Sequence, residues 1–188
     1  RITPEDIGDK KIILYAPTWR DNQHDSADGY SYQLGVDFAR LRQALGEECI
    51  ILFRAHYLVA NQFDFAAYEG FVWDASQYPD INELYVVSDL LITDYSSVFF
   101  DYANLKRPIL FYMYDLAAYR DDIRGFYLDL SELPGPIVET EEALIQAIPQ
   151  ALEGDAYDEK YQRFHARFNA LDDGHASERV VKRLLETK

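Results

Sequence analysis

Basic charge is scarce in this chain. Eighteen Lys and Arg stand against 33 Asp and Glu, a net charge of −15 with His neutral. Repulsion on that scale opposes nucleic acid and anionic lipid surfaces, so neither is expected as a general partner. Any phosphate bound here has to be held locally, by backbone amides and a few placed cations. Cysteine is nearly absent too. The single Cys49 permits no internal disulfide and no cysteine-based zinc cluster, and a reducing compartment is the simple reading. No apolar run approaches the ~20 residues that span a bilayer, and Arg1-Ile2-Thr3-Pro4 is not a signal peptide. An initiator Met is missing, as expected of a piece cut from a longer protein. There is no Gly-rich phosphate loop, no G-x-S-x-G elbow and no His-Glu-x-x-His spacing; His24, His165 and His175 are scattered. Neither a metal ligand set nor a cofactor is expected.

What is present is apolar and aromatic. Of 188 residues, 48% are hydrophobic, enough for a full core, which excludes intrinsic disorder. Fifteen Tyr and 11 Phe suit a core that lines a polar cleft, because Tyr buries a ring while keeping a polar tip.

Short apolar runs predict strands at Lys11–Tyr15, Cys49–Phe53, Phe71–Trp73, Leu90–Thr93 and Pro108–Tyr112, with a short one at Ile137-Val138. Asp21 to Gln33 reads as loop. Helical spacing is found from Phe38 to Leu45, with Gly46 as the stop, then from Asp80, from Val98 to Leu105, and from Glu141 to Leu152. Two more helices are expected at Tyr157–Phe168 and His175–Glu186, the last with Val180/Leu184 and Val181/Leu185 four apart on one stripe. The strands are continuous apolar runs rather than alternating ones, as burial on both faces requires. Strand–helix alternation then gives an α/β fold, a Rossmann-like doubly wound parallel sheet. The chain reads as one domain over residues 1–188, with a core over 10–153 and extra C-terminal helices over 154–188.

In such a sheet, ligands collect at the carboxyl ends of the strands. The residues there are Ala16-Pro17-Thr18-Trp19-Arg20, Arg54-Ala55-His56, Asp74-Ala75-Ser76 and Thr93-Asp94-Tyr95-Ser96-Ser97. Cations, an imidazole and several hydroxyls thus gather on one edge of an acidic protein. Ser96 and Ser97 open a helix whose first N–H groups lack intrahelical partners and whose dipole favours an anion. Thr93 and the serines add hydroxyls. The alternative is that Ser96 only caps the helix. Asp94 either accepts from a ligand hydroxyl or pairs with Arg54 or Arg20. Arg54 offers a planar fork for phosphate oxygens, and His56, two residues on, shares its face if the strand geometry persists. His56 suits donation to a phosphoryl or leaving oxygen near neutral pH, or serves the fold alone. Trp19 fills the core or stacks on a ligand. Cys49 reads as a core filler; Asp121, Asp122, Asp172 and Asp173 read as solvated faces or caps.

Several segments carry a family likeness. Leu14–Arg20, Arg54-Ala55-His56, Tyr78–Leu84, Ser88–Ser97 with Phe100-Asp101, Leu133–Val138 and Asp173–Arg179 together resemble the CDP-glycerol glycerophosphotransferases, the teichoic acid polymerases and primases. The resemblance implies the C-terminal, donor-holding half of a GT-B architecture of two Rossmann-like domains. It implies that Arg54 and His56 match an Arg-x-His motif whose His is a catalytic or donor-phosphate residue. Thr93, Ser96 and Ser97 match a phosphate-cradling helix start. Glu83 sits where related folds bind ribose hydroxyls, and Trp73 to Ser76 where they read the base through backbone groups. Thr18, Arg20, Asp94 and Asp101 lie within the matching segments and join the expected substrate-binding set.

The expected function is transfer of glycerol phosphate, or a related polyol phosphate, from a CDP carrier with release of CMP. A membrane-linked teichoic acid acceptor would be met through an N-terminal half that does not precede Arg1, at the cytoplasmic face of the membrane. Catalysis by this chain alone is not expected. Two alternatives remain open at this point. One is the nucleotide-sugar half of a GT-B glycosyltransferase. The other is a non-enzymatic receiver-like module, although Ala16-Pro17-Thr18 stands where paired acids would, and Met113-Tyr114 where Lys-Pro would.

Overall fold

The computed structural model describes residues 7–18, 24–25, 29–30, 35–55, 64–123, 125–126 and 128–186. Strands β1 (Lys11–Ala16), β4 (Cys49–Phe53), β5 (Val72–Asp74), β6 (Leu90–Thr93), β7 (Ile109–Tyr112) and β8 (Ile137–Val138) form one sheet in the order β5-β4-β1-β6-β7-β8. Every pairing is parallel. The chain starts in the middle, winds outward through β4 and β5, then crosses back to β6 and winds the other way. This is the doubly wound Rossmann order, and its reversal point lies between β1 and β6.

Burial on both faces explains the unbroken apolar runs. Along β1, Ile13 and Tyr15 face one core while Leu14 and Ala16 face the other. Helices α1 (Phe38–Leu45) and α5 (Glu141–Glu153) cover the first face through Phe38, Leu41, Leu45, Leu144 and Ile148. Helices α2 (Ile81–Val87), α3 (Val98–Tyr102) and α6 (Glu159–Phe168) cover the second through Leu84, Tyr85, Phe99, Tyr102, Tyr161 and Phe164. Because α6 contributes two buried rings, the core extends past residue 153. Helix α7 (Ala176–Glu186) buries no residue, and its Val180, Val181, Leu184 and Leu185 are exposed.

Side-chain caps set the helix starts. Asp37, Asp80, Thr140 and Asp158 accept from backbone N–H groups of their first turns. Helix α5 runs on through Pro149. A close approach fixes Gly135, since a Cβ there would sit 1.8 Å from the Ile109 carbonyl oxygen. Burial, helped by Glu48 and Asp89, pushes the Cys49 thiol up to about 11, in keeping with a core filler.

One expectation needs correction, and one stretch left without a reading takes a defined form. The stretch read as loop contains an antiparallel pair, β2 (His24–Asp25) with β3 (Gly29–Tyr30), too short to announce itself by alternation. The stretch after β7, which shows no clear period, holds α4 (Leu116–Ala118), running directly into a π-helical turn at Tyr119–Ile123. Among the described residues, no helix is long and apolar enough to cross a membrane.

Candidate functional site

The carboxyl ends of β1, β4, β5 and β6 form one rim, and the described part of the expected site, Asp101 apart, lies along it. At the reversal point the exits of β1 and β6 are laced together. Ala16 and Thr93 are register partners, and the Thr93 hydroxyl donates to the Ala16 carbonyl at 2.7 Å. The next residue, Asp94, accepts from the backbone N–H of Thr18 at 2.8 Å and from that of Tyr95 at 2.6 Å. Thr93 and Asp94 are both buried. Thr93 is therefore not a hydroxyl offered to the rim, as the sequence suggests, because its proton is committed inside the fold. Asp94 likewise turns one oxygen toward backbone amides, which offset the cost of burying its charge.

Ser96 and Ser97 follow. The Ser96 hydroxyl oxygen lies 3.5 Å from the Val98 N–H, a long contact for a cap. Ser97 occupies the N-cap position of α3, makes no capping bond through its side chain and is exposed. Thr93 is buried, Ser96 half-buried and Ser97 exposed. Tyr95 fastens the other side of this turn: its hydroxyl donates to Asp115 at 2.9 Å and its ring stacks on Tyr119 with 3.6 Å between centroids.

On the β4–β5 side, Arg54 donates through Nη1 to the carbonyls of Ala75, at 2.9 Å, and Tyr78, at 2.8 Å. The guanidinium thereby fixes the loop that leaves β5. Arg54 is half-buried and forms no ion pair among the described residues. Ser76 is buried, and its hydroxyl oxygen accepts from the Ala55 N–H at 3.0 Å, so it ties the two strand exits together instead of facing the rim as the sequence suggests. Its own N–H donates to Asp74. Glu83, in the first turn of α2, accepts from the Tyr78 hydroxyl. A hollow of about 990 Å³ opens beside them, lined by Trp73, Asp74, Ala75, Tyr78 and Glu83 at one end and by apolar residues such as Leu52 further along.

Asp101 sits away from this chain of contacts. It lies on the exposed side of α3, where desolvation, and then the nearby Asp172 carboxylate, hold its pKa above the usual carboxylate range. Asp172 is bound by the side-chain amides of Asn104 and Asn169. Trp19, Arg20 and His56 lie outside the described residues. Among the described residues, no three His, Cys, Asp or Glu side chains come together as a metal-ligand set. Sequence reading placed Tyr78 within the Tyr78–Leu84 likeness but gave its side chain no role; its bond to Glu83 emerges only from the structure.

Comparison with known proteins finds relatives over most of the chain. Residues 6–186 match the family described as CDP-glycerol:poly(glycerophosphate) glycerophosphotransferase. A teichoic acid poly(glycerol phosphate) polymerase of Bacillus subtilis (strain 168) is 52% identical over 182 residues, covering 96% of this chain and 24% of the polymerase. Among solved structures, the wall teichoic acid polymerase TagF superposes with a TM-score of 0.83 at 42% identity, covering 95% of this chain and 44% of TagF. A TagF variant soaked with CDPG superposes with a TM-score of 0.79 at 40% identity, covering 96% of this chain and 43% of the variant. The chain thus spans less than half the length of these relatives.

Proposed function

This chain belongs to the CDP-glycerol:poly(glycerophosphate) glycerophosphotransferase family, and from that membership we propose that it is the domain that holds the nucleotide-linked donor. In this reading it is the C-terminal half of a GT-B enzyme that transfers glycerol phosphate from CDP-glycerol to a growing teichoic acid chain. The observation that carries the reading is the rim itself: the exits of β1 and β6 meet at the reversal point of a Rossmann-ordered sheet, where such sheets bind nucleotides.

The chemistry is an in-line displacement. A terminal hydroxyl oxygen of the acceptor attacks the glycerol-bearing phosphorus, the bond from that phosphorus to the CMP oxygen breaks, CMP departs as the phosphate anion, and the hydroxyl proton passes to water. Positioning and charge neutralisation dominate such reactions. Arg54 supplies a cation already fixed by two carbonyls, and Arg20 a second. Ser97, with the backbone at the start of α3, faces the diphosphate, and Ser96 lines its approach. His56 donates to the leaving CMP oxygen or holds its phosphate. Glu83 receives the ribose hydroxyls. Thr18, Ser76, Thr93 and Asp94 act one step back, holding the exits that carry these groups. The acceptor, linked to the membrane, is met by the part of the enzyme outside this chain, at the cytoplasmic face.

The test is made on the longer enzyme that contains this domain. His56→Ala is expected to lower turnover at least a hundredfold while leaving the melting temperature unchanged; turnover at the wild-type level would defeat the assignment. Calorimetry on the same protein with CDP-glycerol, CDP-ribitol and UDP-sugars is expected to favour a CDP-polyol, and preference for a UDP-sugar would overturn the donor class.

A further inference from the structure

Building on the donor reading above, we propose that Tyr78 is a positioning residue for the ribose of the nucleotide, acting through the carboxylate of Glu83. Tyr78 is held at both ends. Its backbone carbonyl accepts from Arg54 Nη1 at 2.8 Å, and its hydroxyl donates to Glu83 Oε2. The ring therefore bridges the β4 exit and the first turn of α2. That bond to a carboxylate also keeps the phenolic proton in place, with a pKa above the ordinary tyrosine value. The ring is 42% exposed and lines the 990 Å³ hollow together with Glu83, Trp73, Asp74 and Ala75.

The chemistry of Glu83 follows from that bond. Oε2 is engaged by Tyr78, and Oε1 has no hydrogen bond among the described residues. A carboxylate fixed in this way keeps an oxygen that can accept from ribose hydroxyls, a task acidic residues perform in dinucleotide-binding sheets. An unrestrained Glu on an exposed helix turn samples several rotamers, and binding has to freeze it. Tethering by Tyr78 removes part of that entropic cost before the ligand arrives. A purely structural role, with Glu83 favouring the N-terminus of α2 through its charge, would make no distinction between a ribose and a sugar lacking its hydroxyls.

That distinction sets the experiment. Calorimetry on this chain compares CDP with 2′,3′-dideoxy-CDP, for the wild type, Tyr78→Phe, Glu83→Gln and the double variant, each checked by its melting curve. Wild type is expected to bind CDP more tightly than the dideoxy nucleotide. Tyr78→Phe should weaken CDP binding roughly three- to tenfold, the range of one hydrogen bond to a charged group acting indirectly, and leave dideoxy-CDP within about twofold. Glu83→Gln should narrow the same gap, and adding Tyr78→Phe to it should change little. Equal losses for both nucleotides in Tyr78→Phe, no loss for either, or no wild-type preference for CDP would overturn the role of Tyr78 while leaving the donor reading intact. A wild-type chain that binds neither nucleotide would overturn both.

Discussion

The carboxylate of Asp94 accepts the backbone N–H of Thr18 at 2.8 Å, across the point where the order of the sheet reverses. Asp94 is 2% exposed, and the same oxygen also receives the N–H of Tyr95. At the reversal point of the sheet the charge of this acid is therefore directed at amides of the fold. An acidic residue beside the proposed phosphate site becomes tolerable in this arrangement, because the hydrogen bonds offset its charge.

Replacing Asp94 by Ala removes the carboxylate that accepts from two half-buried N–H groups, those of Thr18 and Tyr95. Each lost bond costs about 1–3 kcal/mol, so a loss of about 2–6 kcal/mol is expected in urea denaturation. Asp94→Asn keeps an acceptor oxygen and should recover at least half of it. An unchanged urea midpoint in Asp94→Ala would show that the lacing of β1 to β6 contributes nothing.

Thr93 and Ser97 allow a test of whether holding the fold and the proposed holding of the ligand fall to different hydroxyls. The Thr93 hydroxyl is buried and bound to Ala16, whereas that of Ser97 is exposed and makes no capping bond. Thr93→Val should cost about 1–2 kcal/mol of stability while CDP-glycerol affinity stays within about twofold. Ser97→Ala should do the reverse, with stability within about 0.5 kcal/mol and affinity down about threefold to tenfold. Denaturation paired with calorimetry reads both, and a Thr93→Val protein that folds normally but loses donor affinity would reverse the assignment.

Much of the fold is legible because its strands are buried twice. Ile13-Leu14-Tyr15 and Ile50-Ile51-Leu52 have no polar alternation to obscure them, and Asp37, Asp80, Thr140 and Asp158 mark helix starts by a local mechanism that the sequence displays. The β2–β3 pair is two residues per strand and the π-helical turn at Tyr119–Ile123 has no period of its own, so neither leaves a pattern.

The site is legible at the level of which strand ends carry polar groups, and less so in what those groups do. The partners of Arg54 are the carbonyls of Ala75 and Tyr78, and a carbonyl has no residue signature. Ser76 and Thr93 look like ligand hydroxyls from composition alone; only the register of the sheet, which sets Thr93 opposite Ala16, shows where the Thr93 proton goes. The Tyr78–Glu83 bond spans five residues across a loop–helix junction, a separation that neither helical nor strand periodicity singles out.

Asp101 gives a prediction whose sign depends on pH. Desolvation, then the Asp172 carboxylate, raise its folded-state pKa above the unfolded value. The folded protein thus holds that proton more tightly than the unfolded chain does. The group's favourable contribution is complete below the unfolded pKa, near 3.8, and is lost as pH rises through the folded pKa. At pH 7 the ionised carboxylate is accordingly a net penalty that Asp101→Asn removes. The variant should melt about 1–2 °C higher than wild type at pH 7, a modest gain because solvent screens the exposed side chain. At pH 3, where the wild-type carboxyl is protonated, the difference should vanish. Asp172→Asn should not share the benefit, since the Asp172 carboxylate accepts from the side-chain amides of Asn104 and Asn169. Thermal melts at the two pH values decide it: an equal gain at both would trace the effect to packing and remove the repulsion between Asp101 and Asp172 from the account.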